Sequence, residues 1–154
     1  MPASMSAETR EKIYHLVRDL LSHTLTKNDL NVQSFVNNPR PTNLEAHVRW
    51  TVDALVDDSS EFFTNLGEQL HITHENIEVT FVGIANEIFA TGINWGRIVA
   101  FLAFGGAVAT YCATREDLIT EVEQIAVWMT DYICENLKDW IERHGGGWVR
   151  VRLV

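Results

Sequence analysis

The chain has 154 residues and a mass of 17.5 kDa, enough for one domain with a buried core. Its hydrophobic fraction of 46% excludes disorder over most of its length. Twelve basic residues against 21 acidic ones give a net charge of −9, which excludes sequence-independent nucleic-acid binding, because that needs a basic footprint.

Met1–Ser6 lacks the basic and apolar segments of a secretory signal, so a cytosolic-facing protein is expected. Ile13, Leu16, Val17, Leu20 and Leu21 then recur at i, i+3, i+4, i+7 and i+8, which predicts an amphipathic first helix over about 7–26. Asn37-Asn38-Pro39-Arg40-Pro41 cannot continue a helix and reads as a linker of about 37–42. Thr42 and Glu45 have the spacing of a capping box, so a helix begins near Asn43 with Leu44, Val48, Thr51 and Leu55 on one face.

Asp57-Asp58-Ser59-Ser60 marks a break before a short turn that carries Phe62, Phe63 and Leu66. Thr73 with Glu75 suits a new helix start, followed by Ile77, Phe81, Ile84, Ile88 and Phe89, and Gly92 closes that helix. Asn94 opens the longest apolar stretch, Ile98 to Ala113. It is slightly short of the about 20 apolar residues of a membrane span and reads as a helix buried on all sides. Thr114-Arg115-Glu116-Asp117 reads as a turn and a cap with an acidic first turn. Ile119, Val122, Ile125, Ala126, Met129 and Ile133 make the next stripe, which Leu137, Trp140 and Ile141 end before Gly145-Gly146-Gly147. The expected fold is an all-α bundle of seven or eight helices around a central apolar helix, in a single domain spanning 1–154.

Cys112 and Cys134 both lie inside apolar helical patterns and read as free, buried thiols. His71 and His74 are three apart but lack a third metal ligand at helical spacing, so they read as a polar pair at a helix start. No nucleophile elbow, phosphate loop or zinc-protease motif occurs. Neither an enzyme nor a cofactor or metal site is expected.

The segment Glu87-Ile88-Phe89-Ala90-Thr91-Gly92-Ile93-Asn94-Trp95-Gly96-Arg97-Ile98-Val99-Ala100-Phe101, with Phe104-Gly105-Gly106 after it, resembles the first homology segment (87–106) of the Bcl-2 family of apoptosis regulators. Trp140-Ile141 with Gly145-Gly146-Gly147-Trp148 resembles the second segment (140–148), with one glycine more than the family pattern. Leu44, Val48, Thr51, Asp53 and Leu55 resemble the third (44–55), residues 8–26 the fourth, and Gln69-Leu70-His71-Ile72-Thr73 also matches family sequence. Two positions depart from the pattern. Val52 replaces a small residue before the aspartate, and Ser59 stands where an aromatic often lines the family's groove.

The resemblance implies a Bcl-2-like bundle with an apolar surface groove that receives a partner's amphipathic helix. Leu55, Phe62, Phe63, Leu66, Ile84, Ile88, Val99, Ala100 and Phe104 would line it, with Glu87 on the rim. Arg97 would hold a partner's aspartate through two parallel hydrogen bonds. Asn94 would cap the central helix or donate to the incoming one, and Gly96 would leave room for a foreign backbone. Without the resemblance the same apolar residues read as core, and Arg97 as an ion-pair partner of an acid such as Glu87.

The implied function is that of a pro-survival regulator, which sequesters the amphipathic helix of pro-apoptotic relatives. The alternatives are a membrane-permeabilising, pro-apoptotic member of the same family and, in another class, a helical protein with a cofactor in its core. No apolar anchor follows Trp148, so the expected residence is the cytoplasm, or the mitochondrial outer membrane where an anchor is supplied.

Overall fold

The structure is a computed structural model that describes residues 2–144, with side chains from Ala7 onward. Among the described residues it is all-helical, with no strand. Eight α-helical segments run as α1 (Pro2–Lys27), α2 (Asn43–Asp58), α3 (Ser60–Thr64), α4 (Leu66–Gln69), α5 (Ile77–Ile88), α6 (Trp95–Ala113), α7 (Glu121–Tyr132) and α8 (Lys138–Arg143). A π-helical turn, Ile133–Leu137, joins the last two.

The apolar stripe of α1 does what its spacing requires: Leu16, Val17, Leu20, Leu21 and Leu25 are buried. The helix starts several residues before position 7, and its end is fixed by Asp29, which adopts a left-handed φ of 58°. The Leu30 amide donates to the Leu25 carbonyl at 2.9 Å and the Asp29 amide to Thr26 at 3.0 Å, so two orphan carbonyls of the last turn are satisfied. The capping box of α2 is formed in full. The Glu45 amide donates to Thr42 Oγ1 at 3.1 Å, and the Thr42 amide donates to Glu45 Oε1 at 2.8 Å. Val48, Thr51 and Val52 are buried, whereas Leu44 and Leu55 are half-buried at the flanks of that face.

α6 is the core of the bundle. Ile98, Phe101, Leu102, Phe104, Val108, Ala109 and Cys112 are all buried, with α1, α2, α4, α5 and α7 packed around them. Each large side chain of this set removes surface worth about 1.5–3 kcal/mol from water. An aromatic cluster ties α5 to α6 and α7: Phe81 stacks on Phe104 at 5.2 Å, and Phe101 lies 5.2 Å from Tyr132. Among the described residues α6 is the one helix long and apolar enough to cross a membrane, and most of it lies inside the bundle.

Polar contacts set how the helices meet. The Arg49 fork donates to both carboxylate oxygens of the buried Asp19, at 3.0 and 2.7 Å, clamping α2 to α1. His23 Nε2 lies 2.7 Å from Asp53 Oδ2, and Lys27 Nζ lies 3.5 Å from Asp53 and 3.3 Å from Asp57. α1 also holds α7 through Arg10–Asp131 and through Arg18, which donates to Glu123 at 2.7 Å. Both cysteines are free; burial, with Glu121 and Asp117 nearby, pushes the Cys112 thiol up to about 12.

Three boundaries differ from the sequence expectation. α5 starts at Ile77 because Thr73 and Asn76, not Glu75, exchange reciprocal bonds that make a turn ahead of the helix. That helix ends at Ile88, before Gly92, whose φ of 132° belongs to the following loop. α7 starts at Glu121 rather than near Asp117, because residues 114–120 form turns instead of a helical cap. Ile119 therefore sits outside the stripe at 38% exposure, and the buried Leu118 takes its place.

Candidate functional site

The first turn of α6 carries the polar end of the expected site. Asn94 takes an extended backbone and its Oδ1 accepts from the Arg97 amide at 2.8 Å, so its side chain caps α6. Arg97 is half-buried as a residue, and its guanidinium donates through Nη1 to the Gly92 carbonyl at 2.9 Å in an exposed bond. No Arg97–Glu87 ion pair forms among the described residues, and the carbonyl bond takes its place. One edge of the fork is thereby anchored, and the other guanidinium donors make no bond within the described chain. At Gly96 a Cβ would meet only Asn94 Oδ1, at an ordinary 3.4 Å. Nothing inside the described chain requires glycine there.

The apolar residues divide by depth. Leu66, Val99 and Phe104 are buried, and the Phe104 ring is covered by its stack on Phe81. Leu55, Phe63, Ile84, Ile88 and Ala100 are half-buried, Glu87 is exposed, and Phe62 is 58% exposed with its ring edge-on to Phe63 at 5.1 Å. α2, α3 and α4 pack on α6, and so does α5, yet α5 has at most marginal contact with α2, α3 or α4. The chain therefore leaves a separation between Leu55, Phe62 and Phe63 on one side and Ile84, Glu87 and Ile88 on the other, with α6 shared by both. Trp95 and Trp140 meet edge-on at 5.1 Å, joining α8 to the start of α6.

A second concavity, not anticipated from the sequence, is lined by the C-terminal halves of α1, α2 and α6 and by α3 and α4. This pocket has a volume of about 380 Å³ and takes in Phe63, but none of the other expected groove residues. Its sequence signal is the run of small side chains Ala103, Gly106 and Ala107 on one face of α6.

A family model described as apoptosis regulator proteins of the Bcl-2 family matches residues 48–148. The chain belongs to the Bcl-2 family. It is 36% identical over 108 residues to chicken apoptosis regulator Bcl-2, covering 70% of this chain and 46% of that one. It is 43% identical over 84 residues to human Bcl-2-like protein 1, covering 54% of this chain and 36% of that protein. The chain thus spans less than half the length of the curated relatives it matches. Its fold is similar to the crystal structure of Trichoplax adhaerens trBcl-2L2 bound to trBak BH3, with a TM-score of 0.80, 27% identity, and coverage of 86% of this chain and 90% of that one.

Within this Bcl-2 family chain the stretch 44–55, expected as the third homology segment, is turned inward. Val52 is 3% exposed, and Asp53 is held by His23 and Lys27 of α1. Ser59 sits half-buried at the junction of α2 and α3. Of the stretch expected as the second segment, Trp140 meets Trp95 and Ile141 is buried, and residues 145–148 lie outside the described residues. His71 and His74, expected as a polar pair at a helix start, both precede α5: His74 Nδ1 lies 2.6 Å from Glu121 Oε2, and His71 takes a left-handed φ of 53°.

Proposed function

We propose that this chain is a pro-survival regulator of apoptosis, which sequesters the amphipathic helix of pro-apoptotic relatives in a trough on α6. The trough runs between Leu55, Phe62, Phe63 and Leu66 on one wall and Ile84, Glu87 and Ile88 on the other. Ala100 forms its floor, with Val99 and Phe104 buried beneath it, and Asn94, Gly96 and Arg97 form its polar end. The observation that carries the reading is the first turn of α6: an anchored guanidinium with donors to spare stands beside a glycine whose outer face is open. A helix entering such a trough needs apolar anchors at i, i+3 or i+4 and i+7, and one charge to fix its register. The names of the curated relatives and the BH3 segment bound to the Trichoplax relative support the same reading. The three segments 44–55, 87–106 and 140–148 are assigned to the family's homology regions on this basis. The site of action is the cytoplasm, or the mitochondrial outer membrane where an anchor is supplied, and no residue is assigned a catalytic role.

The test is calorimetric titration with a Bak-type helical peptide. Arg97→Ala is expected to weaken binding by about 1.5–3 kcal/mol, the worth of a hydrogen bond to a charged group, or roughly 10- to 100-fold in Kd. Arg97→Lys keeps the charge without the fork and falls between the two. Unchanged affinity in Arg97→Ala removes the guanidinium from the mechanism.

A further inference from the structure

Most carboxylates on the helices around the trough have an answering group. Glu45 lies 3.1 Å from His15, Lys27 serves Asp53 and Asp57, and Arg115 lies 3.8 Å from Glu68. Asp58, Glu61 and Glu87 differ: they are exposed and make no ion pair among the described residues. No base of the same helices is free to meet them. Between residues 43 and 113 the lysines and arginines are Arg49, held by Asp19, and Arg97, held on one edge by the Gly92 carbonyl.

Helical spacing sets these three acids along the trough. Backbone bonds carry the helix across the junction of α2 and α3, from the Ser59 amide to Leu55 and from the Phe63 amide to Ser59. Leu55, Asp58 and Phe62 therefore share one face at i, i+3 and i+7. Ser60, Phe63, Thr64 and Gly67 line the second concavity, which leaves Glu61 and Phe62 on the side away from it. On the opposite wall Ile84 and Glu87 share a face at i and i+3. An apolar strip thus runs between like charges, with one guanidinium at its end.

Taking the trough as a helix site, we propose that it selects amphipathic helices with lysine or arginine on both flanks of the apolar stripe and a single carboxylate for Arg97. A basic side chain beside the stripe lays its stem along apolar wall such as the exposed Phe62 and sets its charge against the rim. Each exposed pair adds little to affinity, because solvent screens it. Acting together during approach, they speed the encounter with basic flanks and turn acidic ones away.

The test follows association by stopped-flow fluorescence with forms of one labelled Bak-type peptide. All share the apolar stripe and the aspartate; three flanking positions are Lys, Gln or Glu. At about 25 mM salt the Lys form should associate about threefold to tenfold faster than the Gln form, and the Glu form slowest. The ratio should fall towards one near 1 M, where screening acts within about 3 Å. Asp58→Asn, Glu61→Gln and Glu87→Gln together should bring the low-salt ratio of Lys to Gln below about twofold. Glu8→Gln, Glu11→Gln and Glu135→Gln, which change net charge equally from outside α2–α6, should leave it. Equal rates of the Lys and Gln forms at low salt overturn the charge preference while leaving the helix site standing. A control variant that flattens the ratio as far as the rim variant overturns it in favour of net charge. Failure of every form to bind overturns the helix site and the preference together.

Discussion

Gly67→Ala offers the most direct check on how the α3–α4 segment is seated. A Cβ built on Gly67 falls 2.2 Å from Tyr111 Cγ, 2.4 Å from Cδ1 and 2.7 Å from Cβ. These are ring and Cβ atoms, not the free end of a flexible chain, and the ring is further held by the Arg115 guanidinium 4.5 Å over its face. Either Tyr111 leaves its rotamer or α4, only four residues long, lifts from α6. Overpacking of this kind costs about 1–3 kcal/mol. Replacing a helical glycine by alanine gives back about 0.5–1 kcal/mol of chain entropy, so the net loss is expected at about 1–2 kcal/mol. Urea denaturation of Gly67→Ala, Tyr111→Ala and the double variant closes a cycle in which the second substitution should rescue most of the first. A neutral Gly67→Ala, or strict additivity of the pair, would refute the packing argument.

Other outcomes follow from the same contacts. Arg49→Met leaves the Asp19 carboxylate, whose side chain is 4% exposed, without its fork, and should destabilise the fold by about 3–5 kcal/mol; a loss under about 1 kcal/mol in denaturation would contradict this. Burial pulls the Glu123 carboxyl upward, but bonds from Ser34 and Arg18 outweigh it and hold it below its ordinary value. A depressed carboxylate stabilises above its unfolded value of about 4.3 and loses that contribution as pH falls through the folded one. The stability gap between wild type and Glu123→Gln should therefore be constant above about pH 5 and shrink below it. Its size should stay under about 1 kcal/mol because the side chain is 45% exposed. A gap unchanged at pH 3 would contradict the assignment. A synthetic peptide of residues 42–60 should bind the grooves of family members poorly, since Val52 adds bulk where a small residue is needed. Val52→Gly in that peptide should recover about 1–3 kcal/mol, and tight binding of the unaltered peptide would end the idea.

Much of this fold was legible where a side chain caps a helix. Thr42 with Glu45, and Asn94 ahead of Arg97, each mark a start that the structure keeps, because an orphan amide needs a nearby oxygen and only those residues supply one. The start of α7 went astray for the converse reason: its N-cap, Thr120, makes no side-chain bond, while the acidic pair Glu116-Asp117 imitates a first turn from inside a loop. At the site, the residues of α6 could be ordered from sequence, since spacing along one helix is fixed. Which of them lie open could not. Phe104 and Phe62 are equally apolar, yet one is covered by Phe81 and the other is 58% exposed. That difference depends on how α3 and α5 lean on α6, which no local pattern records. The second pocket hides for the same reason: the small face of α6 is visible in the sequence, but how far the neighbouring helices close over it is a matter of their length and tilt.

The wide turn at Ile133–Leu137 has a consequence for the C-terminal end of the bundle. Inward positions along α7 come at alternating intervals of three and four, but Ile133, Leu137 and Ile141 are four apart twice in succession. In an unbroken α-helix such spacing would creep around the axis by about 40° at each step. The π turn absorbs that creep, keeping all three side chains aimed at the same seam. Removing a single residue there would rotate everything downstream by about 100°. Ile141 would swing into water, and the indole of Trp140 would be carried off its partner at the head of the central helix.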